Sequence, residues 1–214
     1  MCRKQALPAS YTRRIFPLPS LNKSRLPDWP VCYDNHGQYL ITFSSVRWLV
    51  ELSRILVISD THFRSTGALS PGLLRAIEEA EYVVHCGDFV SRTVINELRR
   101  LSRHFIGVYG NADPDDVRRM LPAETTFSFG GKKIAVIHPY WGGDGYRLEE
   151  ELTTRYPRAD VILFGHTHVP YNLMMNGTLL LNPGQAYASF MVSASVGILT
   201  INEDGVSAEI LNVD

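Results

Sequence analysis

At 214 residues the chain suits one domain, or one domain with an appendage, and can bury a core without disulfides or a structural metal. Its 45% hydrophobic and 20% charged residues are those of an ordinary globular protein. The formal net charge of −1 divides into a basic leader and an acidic body, which argues against broad nucleic-acid binding and leaves room for a local basic groove or a nucleotide-type substrate.

Residues 1–53 carry seven Lys and Arg against three acids, Asp28, Asp34 and Glu51. Pro8, Pro17, Pro19, Pro27 and Pro30 interrupt every helix that could start there. This predicts a poorly ordered basic extension over 1–53, with the organised domain over 54–214. A flexible tail, an organellar transit segment and a start site assigned too far upstream all account for it, and His36 reads as a loop histidine. Cys2, Cys32 and Cys86 form neither an even framework nor a C-x-x-C pair. With no apolar run of membrane-spanning length, the expected setting is soluble and cytoplasmic.

From Arg54 onward strands and helices alternate. Ile55–Ile58 is a short apolar run of buried-strand type that stops at Ser59-Asp60-Thr61-His62. Ser70-Pro71 sets an N-cap followed by proline in the first turn, and Leu73, Leu74, Ile77 and Ala80 give that helix an apolar face. The strand Tyr82–His85 ends at Cys86-Gly87-Asp88, and Ser91 caps a second helix whose inner face is Val94, Ile95, Leu98 and Leu101. A third strand, Phe105–Tyr109, runs into Gly110-Asn111-Ala112-Asp113, with a short helix over Asp115–Met120.

A hairpin then follows, Thr125–Phe129 and Lys132–Ile137 about Gly130-Gly131, and it feeds into His138. Tyr140–Gly145 reads as a glycine-rich loop and Tyr146–Tyr156 as a third long helix, stopped by Pro157. The apolar strand Asp160–Phe164 ends at Gly165-His166-Thr167-His168. Beyond Pro170 the pattern predicts antiparallel strands, Tyr171–Met175, Thr178–Asn182, Ser195–Ile201 and Val206–Val213. Leu173, Met174, Met175 and Leu179–Leu181 are assigned to the core.

Read together, the strand ends present Asp60, His62, Asp88, Asn111, His138, His166 and His168. Side chains leave the core at such ends while the backbone stays rigid, so ligands collect there. A His-x-His pair alone often does nothing. Five strand ends, each offering Asp, Asn or His, point to chemistry. Imidazole with carboxylate suits two divalent transition metals, manganese, iron, zinc or nickel, over calcium and magnesium. Two close cations need a bridging anion, and Asp88 is the candidate. Asp88, Asn111 and His138 are the expected catalytic residues.

Those blocks, D-x-H at Asp60/His62, G-D at Gly87/Asp88, G-N at Gly110/Asn111, the lone His138 and G-H-T-H at Gly165–His168, resemble the calcineurin-like metallophosphoesterases, in their small bacterial and archaeal phosphodiesterase branch. The resemblance spans about residues 54–212. It implies a four-layer α/β/β/α sandwich of two mixed sheets. It also divides the ligands: Asp60, His62, Asp88 and His168 on one ion, with Asp88, Asn111, His138 and His166 on the other. The expected activity is a phosphodiesterase in which a metal-bridged water or hydroxide attacks phosphorus in line, without a protein nucleophile. The expected partner is a small phosphodiester or other phosphorylated substrate. The alternatives are a phosphomonoesterase and, from another class, a scaffold resembling a retromer subunit that uses the fold without catalysis.

Two departures from the family pattern stand out. Many members have histidine after the G-N asparagine, where it can protonate a leaving group; here the residue is Ala112. General acids contribute about 10²–10⁴-fold, so the loss favours diesters and acidic leaving groups. Asp113 is left as an orienting residue. The second departure is Pro139 after His138, which stiffens a loop where Tyr140, Trp141 and Arg147 either line the mouth or pack. His85 reads as a core or supporting histidine, and Arg64 as a solvated loop residue. Deleting residues 1–45 is expected to leave thermal unfolding and hydrolytic activity unchanged, and a collapse of folding in the truncated protein would contradict the reading of the leader.

Overall fold

The computed structural model describes residues 32–33, 39–40, 53–141, 147–190, 192–203 and 205–213. Met1–Leu49 and Val50–Asp214 form separate units. In the first unit, β1 (Cys32–Tyr33) pairs antiparallel with β2 (Tyr39–Leu40), a ladder the leader's composition did not announce. The rest of the leader, His36 included, lies outside the described residues.

The second unit holds two five-stranded sheets. The first contains β3 (Ser53–Ile58), β4 (Tyr82–His85) and β5 (His104–Gly107), mutually parallel. It is completed on the other side of β3 by the antiparallel strands β11 (Ser195–Asn202) and β12 (Gly205–Asn212). The second contains β6 (Glu124–Phe129), β7 (Lys132–Ile137), β8 (Val161–Phe164), β10 (Thr178–Asn182) and β9 (Tyr171–Met175), in that spatial order.

Three apolar layers account for the stacking. Ile55, Val57 and Val84 of the first sheet face Ile134, Val136, Val161, Leu163, Leu179 and Leu181 of the second. The opposite face of the first sheet, with Leu56, Ile58 and Val83, is covered by α1 (Pro71–Glu79) and α2 (Arg92–Leu101) through Leu73, Ile77, Val94, Ile95 and Leu98. The outer face of the second sheet, with Ile137, Ile162 and Leu180, is covered by α4 (Leu148–Arg155) through Leu148 and Leu152. The result is the expected α/β/β/α sandwich. Strands buried on both faces need continuous apolar runs, which explains why β8 reads Val-Ile-Leu-Phe without alternation.

Local signals set the helix starts. The Ser70 side chain accepts from the backbone N–H of Leu73, with Pro71 opening α1, and Ser91 accepts from Thr93 at the start of α2. α3 is a short piece, Asp115–Arg118. Asn176 and Gly177, with φ of 51° and 84°, make the tight turn joining β9 to β10.

Several expectations are corrected. β5 begins earlier than read and stops at Gly107, leaving Val108 and Tyr109 in the loop. α4 is eight residues rather than a long helix; residues 142–145 of the glycine-rich loop and residue 146, the first assigned to this helix, lie outside the described residues, as does Asp204 in the last turn. The C-terminal region is not wholly antiparallel. β10 inserts between β8 and β9 and runs parallel to β8, because its hairpin partner β9 takes the edge. That edge position leaves Leu173 and Met174 at 45% and 49% exposure, outside the core assigned to them. Among the described residues no helix is long and apolar enough to cross a membrane.

The contrast between β8 and β9 is measurable. Leu163→Ala should lose roughly 2–5 kcal/mol in urea unfolding, because it empties the fully buried layer between the sheets. Leu173→Ala should lose less than about 0.5 kcal/mol. Equal losses would contradict this assignment of core and edge.

Candidate metal centre

The parallel strands β3, β4 and β5 deliver Asp60/His62, Asp88 and Asn111 from the first sheet, while β7 and β8 deliver His138 and His166/His168 from the second. All seven residues singled out in the sequence come together where these ends meet. Asp60, Asp88 and His138 are buried; His62, His166 and His168 are half-buried, and Asn111 is exposed.

The side chains fall into two groups that share Asp88. In the first, Asp60 Oδ1 lies 3.2 Å from His168 Nε2 and 3.8 Å from His62 Nε2, and the two imidazole nitrogens are 3.3 Å apart. In the second, Asn111 Oδ1 lies 3.0 Å from His138 Nε2 and 2.9 Å from His166 Nδ1. Asp88 Oδ2 stands between them, 3.6 Å from His62 Nε2 and 3.4 Å from His138 Nε2. Its other oxygen, Oδ1, accepts from the Ala112 N–H at 2.8 Å.

These contacts set the charges. Burial works to raise the Asp60 carboxyl, but the facing imidazoles of His168 and His62, with the Ser59 hydroxyl at 2.5 Å, hold it far below the usual carboxylate range. Asp88 is likewise lowered: burial opposes ionisation, and His138 and the Ala112 N–H outweigh it. Burial alone would lower His138, yet Asp88 and Asp60 raise it. His166 is lowered by burial and by the neighbouring His138. The centre is thus built around two ionised carboxylates.

Those donors suit a cation. Asp60 Oδ1 is buried without an aligned hydrogen bond among the described residues, although it faces two imidazole nitrogens. Asp60, His62 and His168 offer ligand atoms within 4.8 Å of one another, and so do Asp60, Asp88 and His138. Convergent imidazole and carboxylate without thiolate is the donor set of an open transition-metal site.

The backbone is shaped to this end. Asp60, His62, Asp88, His166 and His168 all have positive φ, between 49° and 79°, where Asp and His are tolerated better than most side chains. Val90 shares that conformation at φ 57°, which is costly for a β-branched residue. Asp113 compensates for it. Its Oδ1 accepts from Val90 N–H at 2.7 Å, and its Oδ2 accepts from Asp88 N–H at 3.1 Å and Gly110 N–H at 2.8 Å. One buried carboxylate thereby locks the Asp88 loop to the Asn111 loop. Arg118 donates to the backbone carbonyls of Asp113 and Asn111 and closes the same turn.

Two glycines permit the close approach. A Cβ at Gly165 would lie 2.1 Å from Ser59 Oγ and 2.9 Å from Asp60 Oδ2, and one at Gly110 would lie 2.1 Å from Asp88 Oδ1. His85 is not part of the cluster. It is buried and stacked on Phe89 at 3.7 Å, its Nδ1 accepts from Gly87 N–H, and burial lowers its pKa to about 3. Arg64, Tyr140, Trp141 and Arg147 are exposed. Trp141 donates to Glu151 and lies under Arg155, so its ring is committed to packing on α4.

Residues 54–204 match the calcineurin-like phosphoesterase superfamily domain. The chain belongs to the calcineurin-like phosphoesterase superfamily. A probable metallophosphoesterase of Methanocaldococcus jannaschii is 30% identical over 162 residues, covering 74% of this chain and 80% of that protein. A phosphodiesterase of the same organism is 26% identical over 162 residues, covering 68% and 92%. Vacuolar protein sorting 29 from Cryptosporidium parvum superposes with a TM-score of 0.61 at 21% identity, over 75% of this chain and 98% of that structure, a likeness of fold. As a calcineurin-like phosphoesterase the chain is placed among metal-dependent phosphoester hydrolases, and its Asp and His groups could hold metal.

Sequence reasoning missed two polar side chains of the calcineurin-like phosphoesterase site, both past the end of β10 or on it. Asn182 donates to the Gly165 carbonyl at 3.2 Å and to Thr167 Oγ1 at 3.0 Å, bracing the histidine loop from behind. Gln185 Oε1 lies 3.0 Å from His168 Nδ1. The signal was available, since the Asn182-Pro183-Gly184-Gln185 turn is one more strand end, and the antiparallel pairing of β9 with β10 sets Asn182 opposite Tyr171, three residues past His168.

The clamp gives a direct test. Asp113→Ala should lose about 3 kcal/mol or more in denaturant unfolding, because three N–H groups, two of them fully buried, lose their acceptor. Amide exchange should rise at Val90 and Gly110. A loss under about 1 kcal/mol would show that the loops hold each other by other means.

Proposed function

We propose that this protein is a phosphodiesterase working with two divalent metal ions. The observation that carries the reading is the pairing of two donor groups about a shared buried carboxylate, Asp88. Asp60, His62, Asp88 and His168 would hold one ion, and Asp88, Asn111, His138 and His166 the other. Mn²⁺ is the first choice, with Fe²⁺, Zn²⁺ and Ni²⁺ also compatible with imidazole and carboxylate. Bound there, such ions supply an acidified water at neutral pH and positive charge against the phosphoryl oxygens.

The chain's own residues determine the rest. Asp88 is kept ionised by His138 and by the Ala112 N–H, so it would serve as the carboxylate shared by two cations. His138 donates its Nδ1–H to the Cys86 carbonyl at 2.8 Å, which leaves Nε2 facing Asp88 and Asn111. Asn111 is exposed and turns its Oδ1 towards His138 Nε2 and His166 Nδ1, so it would meet an ion through that oxygen. The methyl group of Ala112 can protonate nothing, so a departing alkoxide gets no help from that position. This supports phosphodiesters with acidic leaving groups over alkyl monoesters. A reducing, cytoplasmic setting suits the free buried Cys86.

A non-catalytic scaffold is the competing reading, motivated by the fold likeness to vacuolar protein sorting 29. The complete Asp, Asn and His set favours the enzyme. The Mn²⁺-loaded protein should hydrolyse bis-p-nitrophenyl phosphate, and Asp88→Asn should reduce kcat/KM by more than about 100-fold, since even partners of ligands typically contribute 10–100-fold. Wild-type protein that is inert with Mn²⁺, Fe²⁺, Zn²⁺ and Ni²⁺, and binds none of them, would sink the proposal.

A further inference from the structure

Gln185 is 2% exposed and sits just past the end of β10. Its backbone carbonyl accepts from Ser195 N–H at 2.9 Å, and the next residue, Ala186, donates to the Ser59 carbonyl at 3.0 Å, so the chain here is pinned from both sides. Its side-chain amide makes three further contacts. Nε2 reaches the Tyr187 carbonyl at 2.7 Å and Ser189 Oγ at 3.1 Å, and Oε1 reaches His168 Nδ1 at 3.0 Å.

Those contacts fix which way the amide faces. A backbone carbonyl can only accept, so the nitrogen must point to Tyr187, and the oxygen must point to His168. An amide oxygen can only accept in turn, which requires the proton on His168 Nδ1. His168 Nε2 is the atom that faces Asp60 Oδ1 at 3.2 Å and His62 Nε2 at 3.3 Å. Asp60 by itself would draw the imidazole proton to Nε2, giving the tautomer that cannot bind a cation there. Gln185 pulls the other way.

We propose that Gln185 is a positioning residue that holds His168 in its Nδ1–H tautomer and so presents Nε2 as a donor beside Asp60 and His62. The proposal rests on the reading of His168 as a metal ligand. His138 obtains the same service from a backbone carbonyl, that of Cys86, whereas His168 depends on a side chain. That difference makes the effect accessible to substitution.

Three full-length proteins separate the outcomes: wild type, Gln185→Met, which keeps the length and removes the acceptor, and Gln185→Glu, which keeps an acceptor oxygen. Long-range ¹H–¹⁵N NMR of the metal-free proteins reads the His168 tautomer, and calorimetric Mn²⁺ titration reads affinity. Wild type should show Nδ1–H, and Gln185→Met should move towards Nε2–H. Its affinity for one of two Mn²⁺ ions should fall by about 10–100-fold. Gln185→Glu should stay within a few-fold of wild type. An Nε2–H tautomer in wild type overturns the proposal without any variant being needed. So does a folded Gln185→Met with wild-type affinity, or a Gln185→Glu as weak as Gln185→Met. His168→Ala in the same titration tests the underlying reading: if it binds Mn²⁺ as wild type does, the ligand assignment of His168 fails, independently of Gln185.

Discussion

Two carboxylates, Asp60 and Asp88, are buried with ligand atoms within 4.8 Å of one another and with His138. Like charges at that spacing in a poorly solvated place repel strongly unless positive charge lies among them. Four imidazoles and an amide are arranged around the pair, and the ring nitrogens that face it are the partial answer visible in the protein itself. Much of the local architecture exists to keep this unfavourable pair in place: the Ser59 hydroxyl on Asp60, the Ala112 N–H on Asp88 and the Asp113 clamp beneath the loops.

Such an arrangement needs a rigid frame, and the sheets provide it. Strand ends carry little freedom, and the left-handed backbone at five of the seven site residues is held by contacts that no isolated loop could supply. Gly110 and Gly165 contribute by what they lack, letting one loop lie against the carboxylate of another. The helices on the outer faces bury the sheets and supply no residue to the cluster.

How much of this could be read from residue order follows from which interactions are local. Apolar runs ending in Asp, Asn or His announce themselves, because a buried strand must be continuous in sequence and its end must be polar to leave the core. Ser70-Pro71 and Asn176-Gly177 were equally legible, since caps and tight turns are decided within a few residues. Pairing order was not. The placement of β10 between β8 and β9 is settled by contacts distant in sequence. Without the knowledge that β9 lies at the edge, Leu173 and Met174 fall in the core. Asp113 lay in plain view beside Asn111, but its three acceptor bonds reach backbone groups up to 25 residues away, beyond any local rule.

Neither donor group belongs to one sheet. Asp60 and His62 come from β3 and meet His168 from beyond β8, while Asn111 follows β5 and meets His138 and His166 from beyond β7 and β8. Each group therefore crosses the seam between the two sheets at the same end of the sandwich. Away from the cluster the seam is joined differently, with the Asn172 side chain of the edge strand β9 donating to the Ala208 carbonyl of β12. A cation seated in either group would be, in mechanical terms, a rivet: the sheets could not shear past each other at that end without stretching its bonds. The end proposed for catalysis would then also be the end held against sliding.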